Sequence, residues 1–325
     1  MSSINTNASA MTALQTLSAT NKSLSTTQGR IATGLRVAEA SDNAAYWSIA
    51  TTMRSDNKAL STVQDSLGLG ASKVDTAYTG MNKAIDTLND IKVKLVAANG
   101  ASAADKEKID TEIKALQKQL QAYSDGATFS GTNMLSVKSG AAATAADDVK
   151  IVSAFNRDGA GSASVSTIDV KVDNIKLFET GGAAAIKTGI LDGQRLGTTG
   201  VRAALSAPTP GTDAATDTYS VMTVSVKGYS DAQLTKQLGV VEAALKEMTT
   251  AATNLGAAKS RIELQKAFTS SLMDSIDRGV GQLVDADMNK ESTRLQALQV
   301  QQQLGIQALS IANGNSQSIM SLFKG

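Results

Sequence analysis

The chain has no cysteine and no histidine, and only 3% of its residues are aromatic. Without those two residue types there is no disulfide, no thiolate or imidazole metal ligand and no histidine general base, so most routes to enzymatic chemistry are closed. Few aromatics mean thin cores, suited to helices that bury small side chains against one another. The two prolines sit together at Pro208 and Pro210, which leaves the rest of the 325 residues free to run as long helices. The net charge is +1 and no run of Lys or Arg occurs, which argues against a nucleic-acid or anionic-membrane partner. No apolar stretch approaches the roughly 20 residues that span a bilayer. Residues 1–21 carry no charge and lack the basic region and apolar core of a secretory signal, so export, if it occurs, is expected to use another machine.

One absence is local. Residues 295–323, LQALQVQQQLGIQALSIANGNSQSIMSLF, contain no Asp, Glu, Lys or Arg. At 100° per residue Gln296, Gln299, Gln303, Gln307, Ser310, Gly314, Gln317 and Ser321 form one narrow polar ladder, and aliphatic residues cover most of the rest. Leu295, Leu298, Leu309, Ala312, Ile319 and Phe323 share a 3-4 heptad frame, interrupted by Gln302, Gly305 and Ser316. Such a helix needs partners.

The other end mirrors it. Ala10, Leu14, Leu17, Asn21, Leu24, Gln28, Ile31 and Leu35 follow 4-3 spacing, a coiled-coil seam with polar interruptions at Asn21 and Gln28. The segment Gly34-Leu35-Arg36-Val37 through Ser41-Asp42-Asn43 breaks the pattern, with Ser41 or Asp42 as candidate cap. From Met53, the residues Leu60, Leu67, Val74, Met81, Leu88 and Leu95 recur every seven positions, with Val63, Ala77, Ala84, Ile91 and Ala98 between them and Asp56 and Gly70 as exceptions. Asn99-Gly100 ends that helix, and Ser102 with Asp105 opens another that carries Ile109, Ile113, Leu116, Leu120 and Tyr123. Heptads resume at Leu234, Leu238, Val241, Leu245, Met248, Ala252 and Leu255, capped by Ser230 or Asp231, and dilute toward Asp285-Ala286-Asp287. Between them the composition turns to Gly, Ala, Thr and Asp, with alternating runs at 149–155, 165–178 and 219–229 and loops at Gly181-Gly182 and Pro208-Thr209-Pro210-Gly211.

The expected fold is therefore mainly α: a long antiparallel coiled-coil or helical-bundle core formed by both termini, with a small β-containing outer domain inserted in the middle. The expected divisions are an inner helix at 1–41, a coiled-coil rod at 42–135, the insertion at 136–229, a returning rod at 230–284 and a second inner helix at 285–325. Paired uncharged terminal helices suit burial between copies of the molecule on an open helical lattice.

Catalytic patterns do occur. Ser55-Asp56-Asn57-Lys58, Ser41-Asp42-Asn43 and Lys187-Thr188-Gly189 reproduce the three elements of a serine acyl-enzyme site, but the first lies in a coiled-coil helix and the third lacks an edge strand before it. They read as coincidence. No phosphate-cradling glycine motif or calcium loop is present, so no catalytic, cofactor or metal residue is assigned. Tyr46 and Trp47 at the start of the second helix read as a packing anchor, with an inter-subunit contact as the alternative.

Residues 11–50 and 258–323 resemble bacterial flagellins. The likeness rests on Gly34-Leu35-Arg36-Val37 with Ser41-Asp42-Asn43-Ala44-Ala45, on Phe129-Ser130-Gly131-Thr132-Asn133-Met134-Leu135, on Ser260-Arg261-Ile262 and on the ending Ser321-Leu322-Phe323. It implies a structural, non-enzymatic subunit of the extracellular flagellar filament. The terminal helices would form an inner tube, the rods a shell, and the ladder would face the channel. It further implies other copies of the chain and sister flagellins as partners, together with an export chaperone, filament cap and hook-junction proteins, and type III export without a cleaved signal. Two rival readings are a hook-filament junction protein of the same superfamily and a cytoplasmic coiled-coil scaffold.

Overall fold

Long heptad runs without proline become long helices. The computed structural model describes residues 7–137, 148–159, 161–179 and 187–323, apart from the side chains of 315–323. Five helices carry it: α1 (Ala8–Thr33), α2 (Ala44–Ala98), α3 (Ala103–Gly126), α4 (Asp231–Val284) and α5 (Met288–Phe323). Their ends are set by local chemistry. Asn7 caps α1 by accepting from Ala10 N at 3.0 Å, and Gly34 closes it in the left-handed conformation at φ 72°. Asn43, one residue beyond the expected Ser41 or Asp42, caps α2 by accepting from Tyr46 N. Ser102 caps α3, Ser230 Oγ accepts from Gln233 N at the start of α4, and Asp287 accepts from Asn289 N and Lys290 N before α5.

The chain divides into two compact units, one of Met1–Lys58 with Leu272–Gly325 and one of Ala59–Ser271. In the second, α2 and α4 are antiparallel: Lys92 pairs with Glu242 at 2.5 Å, and Lys259 with Asp75. Lys94 ties α2 to Glu112 of α3 at 2.6 Å. Leu60, Leu67, Val74, Met81, Leu88 and Leu95 are all buried, as are Leu234, Val241, Met248 and Leu255. Their companions on α4 differ from the sequence expectation. Leu238 and Leu245 are only half-buried, and Ala244, Ala251 and Ala258, one position earlier, take the centre. Small residues let helix axes approach closely, so the seam selects alanine and leaves the leucines to cover its flank.

Gly70, an exception in the α2 heptads, has a steric cause. A Cβ there would overlap Ile151 Cγ2 and stand 2.8 Å from Ile151 Cδ1. Ile151 belongs to an antiparallel hairpin of β4 (Val149–Arg157) and β5 (Ala163–Val170), so the missing side chain is the notch in which the hairpin docks.

The other strands are two residues each. A pair β1 (Thr128–Phe129) and β2 (Thr132–Asn133) closes over Ser130 and Gly131, both at positive φ, and β3 (Ser136–Val137) lies parallel to β6 (Phe178–Glu179). The last two, β7 (Arg195–Leu196) and β8 (Thr218–Tyr219), are antiparallel. The run expected as one strand over 165–178 breaks at Val170 into the 3-10 turn Val172–Asn174 before β6. The run at 219–229 is mostly not a strand. Tyr219 ends β8, the buried Ser220 leads into a 3-10 turn at Val221–Thr223, and from there the backbone bonds to helix side chains instead of a ladder, with Val221, Val224 and Val226 buried. Gln117 Nε2 donates to Val221 O and Val224 O at 2.9 Å each, Asp110 accepts from Val226 N at 3.0 Å, and Gln237 accepts from Ser225 N at 3.2 Å. Upstream, Gln233 Nε2 holds Thr209 O and Thr212 O, and the buried Arg195 grips Glu247 with two bonds at 2.8 and 2.7 Å. The middle segment thus shares the core of the helices instead of closing its own. The loop expected at Gly181-Gly182 lies outside the described residues.

Two predictions follow from these contacts. Gly70→Ala gains about 1 kcal/mol of helix propensity but forces overlap with a buried β-branched side chain, which costs about 1–3 kcal/mol, so the net effect is destabilising. Urea unfolding should show a lower midpoint for Gly70→Ala, and a much smaller loss when the same change is made in an Ile151→Ala background.

Acid should release the segment at 219–229. Burial pushes the Asp110 carboxyl up, but the Lys114 ammonium, Ser225 Oγ and the Val226 amide outweigh it and hold the group below its usual range. Burial opposed by Arg195 and Arg202 does the same to Glu247. Folded values below unfolded ones stabilise the fold at neutral pH, and that contribution is lost as pH falls through the depressed values, below about 4. Asp192, raised by burial, has the opposite dependence and contacts neither Ser225 nor Val226. Amide exchange corrected for intrinsic rates should show Ser225 and Val226 losing protection in acid before the hairpin does, with a flatter profile in Glu247→Gln.

Candidate assembly interface

The first unit holds the two helices that lack a charged face. Here α1 and α5 run antiparallel, tied at successive levels. Asn7 Nδ2 donates to Ala312 O at 2.9 Å, Leu17 packs on Gly305, Gln302 Nε2 donates to Asn21 Oδ1 at 2.8 Å, and Arg30 meets Glu291 at 3.3 Å. On α5 the face turned to α1 consists of Glu291, Leu295, Leu298, Gln302, Gly305, Leu309 and Ala312, every one buried or half-buried. The side chains of Ile319 and Phe323, and those of Gln317 and Ser321, lie outside the described residues.

On α1 the frame is shifted. Ala10, Leu17, Leu24 and Ile31 face inward, but the companions are Ala13, Thr20 and Thr27, with Thr27 only 2% exposed. Leu14 is 60% exposed, so it is not part of the intrachain seam. As in α4, small residues stand in the inward row beside the large ones, Leu17 being seated on Gly305. The sequence carried that signal in the 3-4 spacing of its small residues, which a search for large apolar ones passes over.

Leu35 belongs to the junction between helices. It bridges Asp285, Arg36 N and Val37 N donate to Val284 O, and Ala286 N donates to Gly34 O. Val37, Ala50, Val280 and Val284 fill a small core beside it, against which Leu35 and the half-buried Met53 pack. Tyr46 and Trp47 do not anchor that core. Trp47 is 39% exposed, and Tyr46 carries the Arg36 guanidinium 5.9 Å over its ring.

Outside the seam, Gln296, Gln299, Gln303, Gln307 and Ser310 are exposed. On the far flank of that ladder Val300, Leu304 and Ile311 are each more than half exposed. Helix α5 therefore has two apolar flanks separated by glutamines, and α1 covers one.

Among the described residues no group of three or more acidic side chains could hold a metal ion, and no helix is long and apolar enough to cross a membrane. Ser55 stands exposed on α2, and Thr188 of the Lys187-Thr188-Gly189 loop is engaged in the other unit, where its N and Oγ1 both donate to Glu179 Oε2 at 2.7 Å.

Known proteins resemble this chain in sequence. The bacterial flagellin N-terminal helical region matches residues 4–139, and the bacterial flagellin C-terminal helical region matches residues 238–323. The chain belongs to the bacterial flagellin family. A flagellin of Brucella melitensis is 48% identical over 327 residues and flagellin C of Rhizobium meliloti strain 1021 is 48% identical over 333, in both cases across the whole of both chains. Flagellin A of Rhizobium meliloti is 43% identical, again across both whole chains, in an alignment of 405 positions. A flagellin is a structural subunit of the bacterial flagellar filament, and that role is structural and not enzymatic.

The half-exposed Trp47 gives this surface an optical reporter, because it is the only tryptophan in the chain. Its emission should shift to shorter wavelength when monomers polymerise, and an unchanged spectrum would mean that the junction stays solvent-facing in the polymer.

Proposed function

We propose that the chain assembles through α1 and α5 as the paired inner layer of a hollow filament, each pair being covered by neighbouring copies. Ala10, Leu17, Leu24, Ile31, Leu295, Leu298, Leu309 and Ala312 form the seam within one subunit. Leu14, Val300, Leu304 and Ile311 meet the next copies, and Gln296, Gln299, Gln303, Gln307 and Ser310 face water in the channel. The observation that carries this reading is the second apolar flank of α5, exposed on a helix whose first flank is already filled. Burying it between copies gains about 25 cal/mol per Å² of apolar surface, repeated along an open lattice.

Such a helix is a liability before assembly. The reading therefore includes secretion to the extracellular filament by the type III apparatus, a chaperone that covers the tail until then, a filament cap and hook-junction proteins at the two ends, and sister flagellins as co-assembling copies.

Negative-stain microscopy tests it. Removal of residues 295–325 should abolish filaments, as should Val300→Ser with Leu304→Ser and Ile311→Ser, while circular dichroism of the monomer changes little in the triple variant. Filaments that form normally from both variants would overturn the assignment.

A further inference from the structure

A heptad seam is repetitive, so two helices that pair through one can slide by seven residues and still place apolar side chains in contact. We infer that α1 and α5 carry a built-in register lock made of Asn21–Gln302 and Arg30–Glu291, with Leu17 seated on Gly305. The inference rests on the pairing described under Proposed function and adds which residues select one alignment.

The geometry supports it level by level. Arg30 and Glu291 form an ion pair across the seam, the Glu291 side chain being only 9% exposed. About three turns further on, Asn21 and Gln302 exchange a side-chain hydrogen bond at 2.8 Å. Between that bond and Asn7 at the far end, Leu17 lies against Gly305, where a Cβ would meet Leu17 Cδ1 at 3.2 Å. A slide by seven destroys all three in either direction. Arg30 would then oppose Leu298 or run past the start of α5, Asn21 would oppose Leu309 or Leu295, and Leu17 would meet Ala312 or Leu298 in place of glycine. Arg30 facing leucine loses its partner and leaves the buried Glu291 unpaired, a larger penalty than the modest net value of the pair in place, and Asn21, at the exposed edge of the seam, adds the loss of its bond to Gln302. The polar residues therefore contribute little to strength and much to the choice of alignment, as a single buried asparagine does in a coiled coil.

A wrong register displaces one flank of each helix by roughly 10 Å, the rise of seven residues, so a misaligned subunit would present its outward strip out of step with its neighbours. Correct alignment within a subunit is then a condition for adding the next one.

The cysteine-free sequence makes this measurable. A Cβ at residue 305 would lie 3.8 Å from Leu17 Cβ, within the range for a disulfide. Full-length chains carrying Leu17→Cys with Gly305→Cys report the observed register, and Leu17→Cys with Leu298→Cys or with Ala312→Cys report the two slides. Each is oxidised both as soluble full-length chain and in assembled filaments, the soluble chain giving the register preference free of selection by the lattice, and intrachain bonds are read as monomer bands and by peptide mass. The parent should favour the 17–305 bond by about tenfold or more over either alternative, since two misplaced polar pairs cost more than 1.4 kcal/mol. With Asn21→Leu, Gln302→Leu, Arg30→Leu and Glu291→Leu combined, the preference should fall to within about threefold, whereas exchanging the charges, Arg30→Glu with Glu291→Arg, should retain it.

A four-leucine variant that keeps the parent's preference would overturn the lock and leave the pairing intact. The same variant with no bond at any of the three positions would also count against it, because a fully apolar seam should pair at least as tightly. A parent that assembles without the 17–305 bond would overturn the pairing itself.

Discussion

Everything in this chain follows from a helix that cannot be covered by its own molecule. From residue 295 to 323 α5 has no charge, and its aliphatic residues fall on two flanks with glutamines between. One antiparallel partner can fill one flank. Since α1 fills the first, Val300, Leu304 and Ile311 remain in water. A strip of that kind suits a surface that other copies cover, and on a heterologous surface such copies continue without closing. On the proposed reading, assembly completes the fold.

The same constraint explains the choice of side chains. Helices that must pack on several sides cannot carry bulky residues on all of them, so the intrachain seams use Ala13, Thr20 and Thr27 on α1 and Ala244, Ala251 and Ala258 on α4, and leucines are pushed to the flanks. Gly70 and Gly305 take this to its limit, one admitting the hairpin through Ile151 and the other admitting Leu17. With few aromatics, specificity has to come from fit and from polar pairs. Gln117, Gln233 and Gln237 illustrate this in the second unit, where helix amides hold a segment that has no sheet to join.

These features differ in how legible they were in the sequence. Helix positions and the seam of α2 could be read directly, because twelve or more heptad positions repeat without a proline. So could the α5 face, since its frame is set by leucines with no competing row. On α1 and α4 two rows one residue apart both satisfy the 3-4 spacing, and apolar size picks the wrong one. What decides is which row the partner helix faces, which is information from the partner and not from the segment itself. The strap at 219–229 misled for a related reason. The apolar Tyr219, Val221, Val224 and Val226 are buried, but Ser220 between them is buried too and Val221–Thr223 turns as a 3-10 helix, and an apolar pattern does not say whether a backbone meets a strand or the side chains of Gln117, Asp110 and Gln237. Trp47 was misplaced because size was taken for burial.

The two kinds of interaction divide the labour along α1 and α5. Apolar burial is non-directional, and a seam of alanines, threonines and scattered leucines offers similar area in more than one alignment. Hydrogen bonds and ion pairs add little net stability, yet they lose it steeply when displaced. Placing Asn21, Gln302, Arg30 and Glu291 among small apolar neighbours therefore sacrifices some seam strength for a single alignment. A subunit that had maximised its own seam would hold its terminal helices in several registers, and only one of them would offer the next copy a matching surface. Weak, exact pairing inside the subunit and extensive burial between subunits are two halves of one solution: the monomer supplies the geometry and the polymer supplies the area.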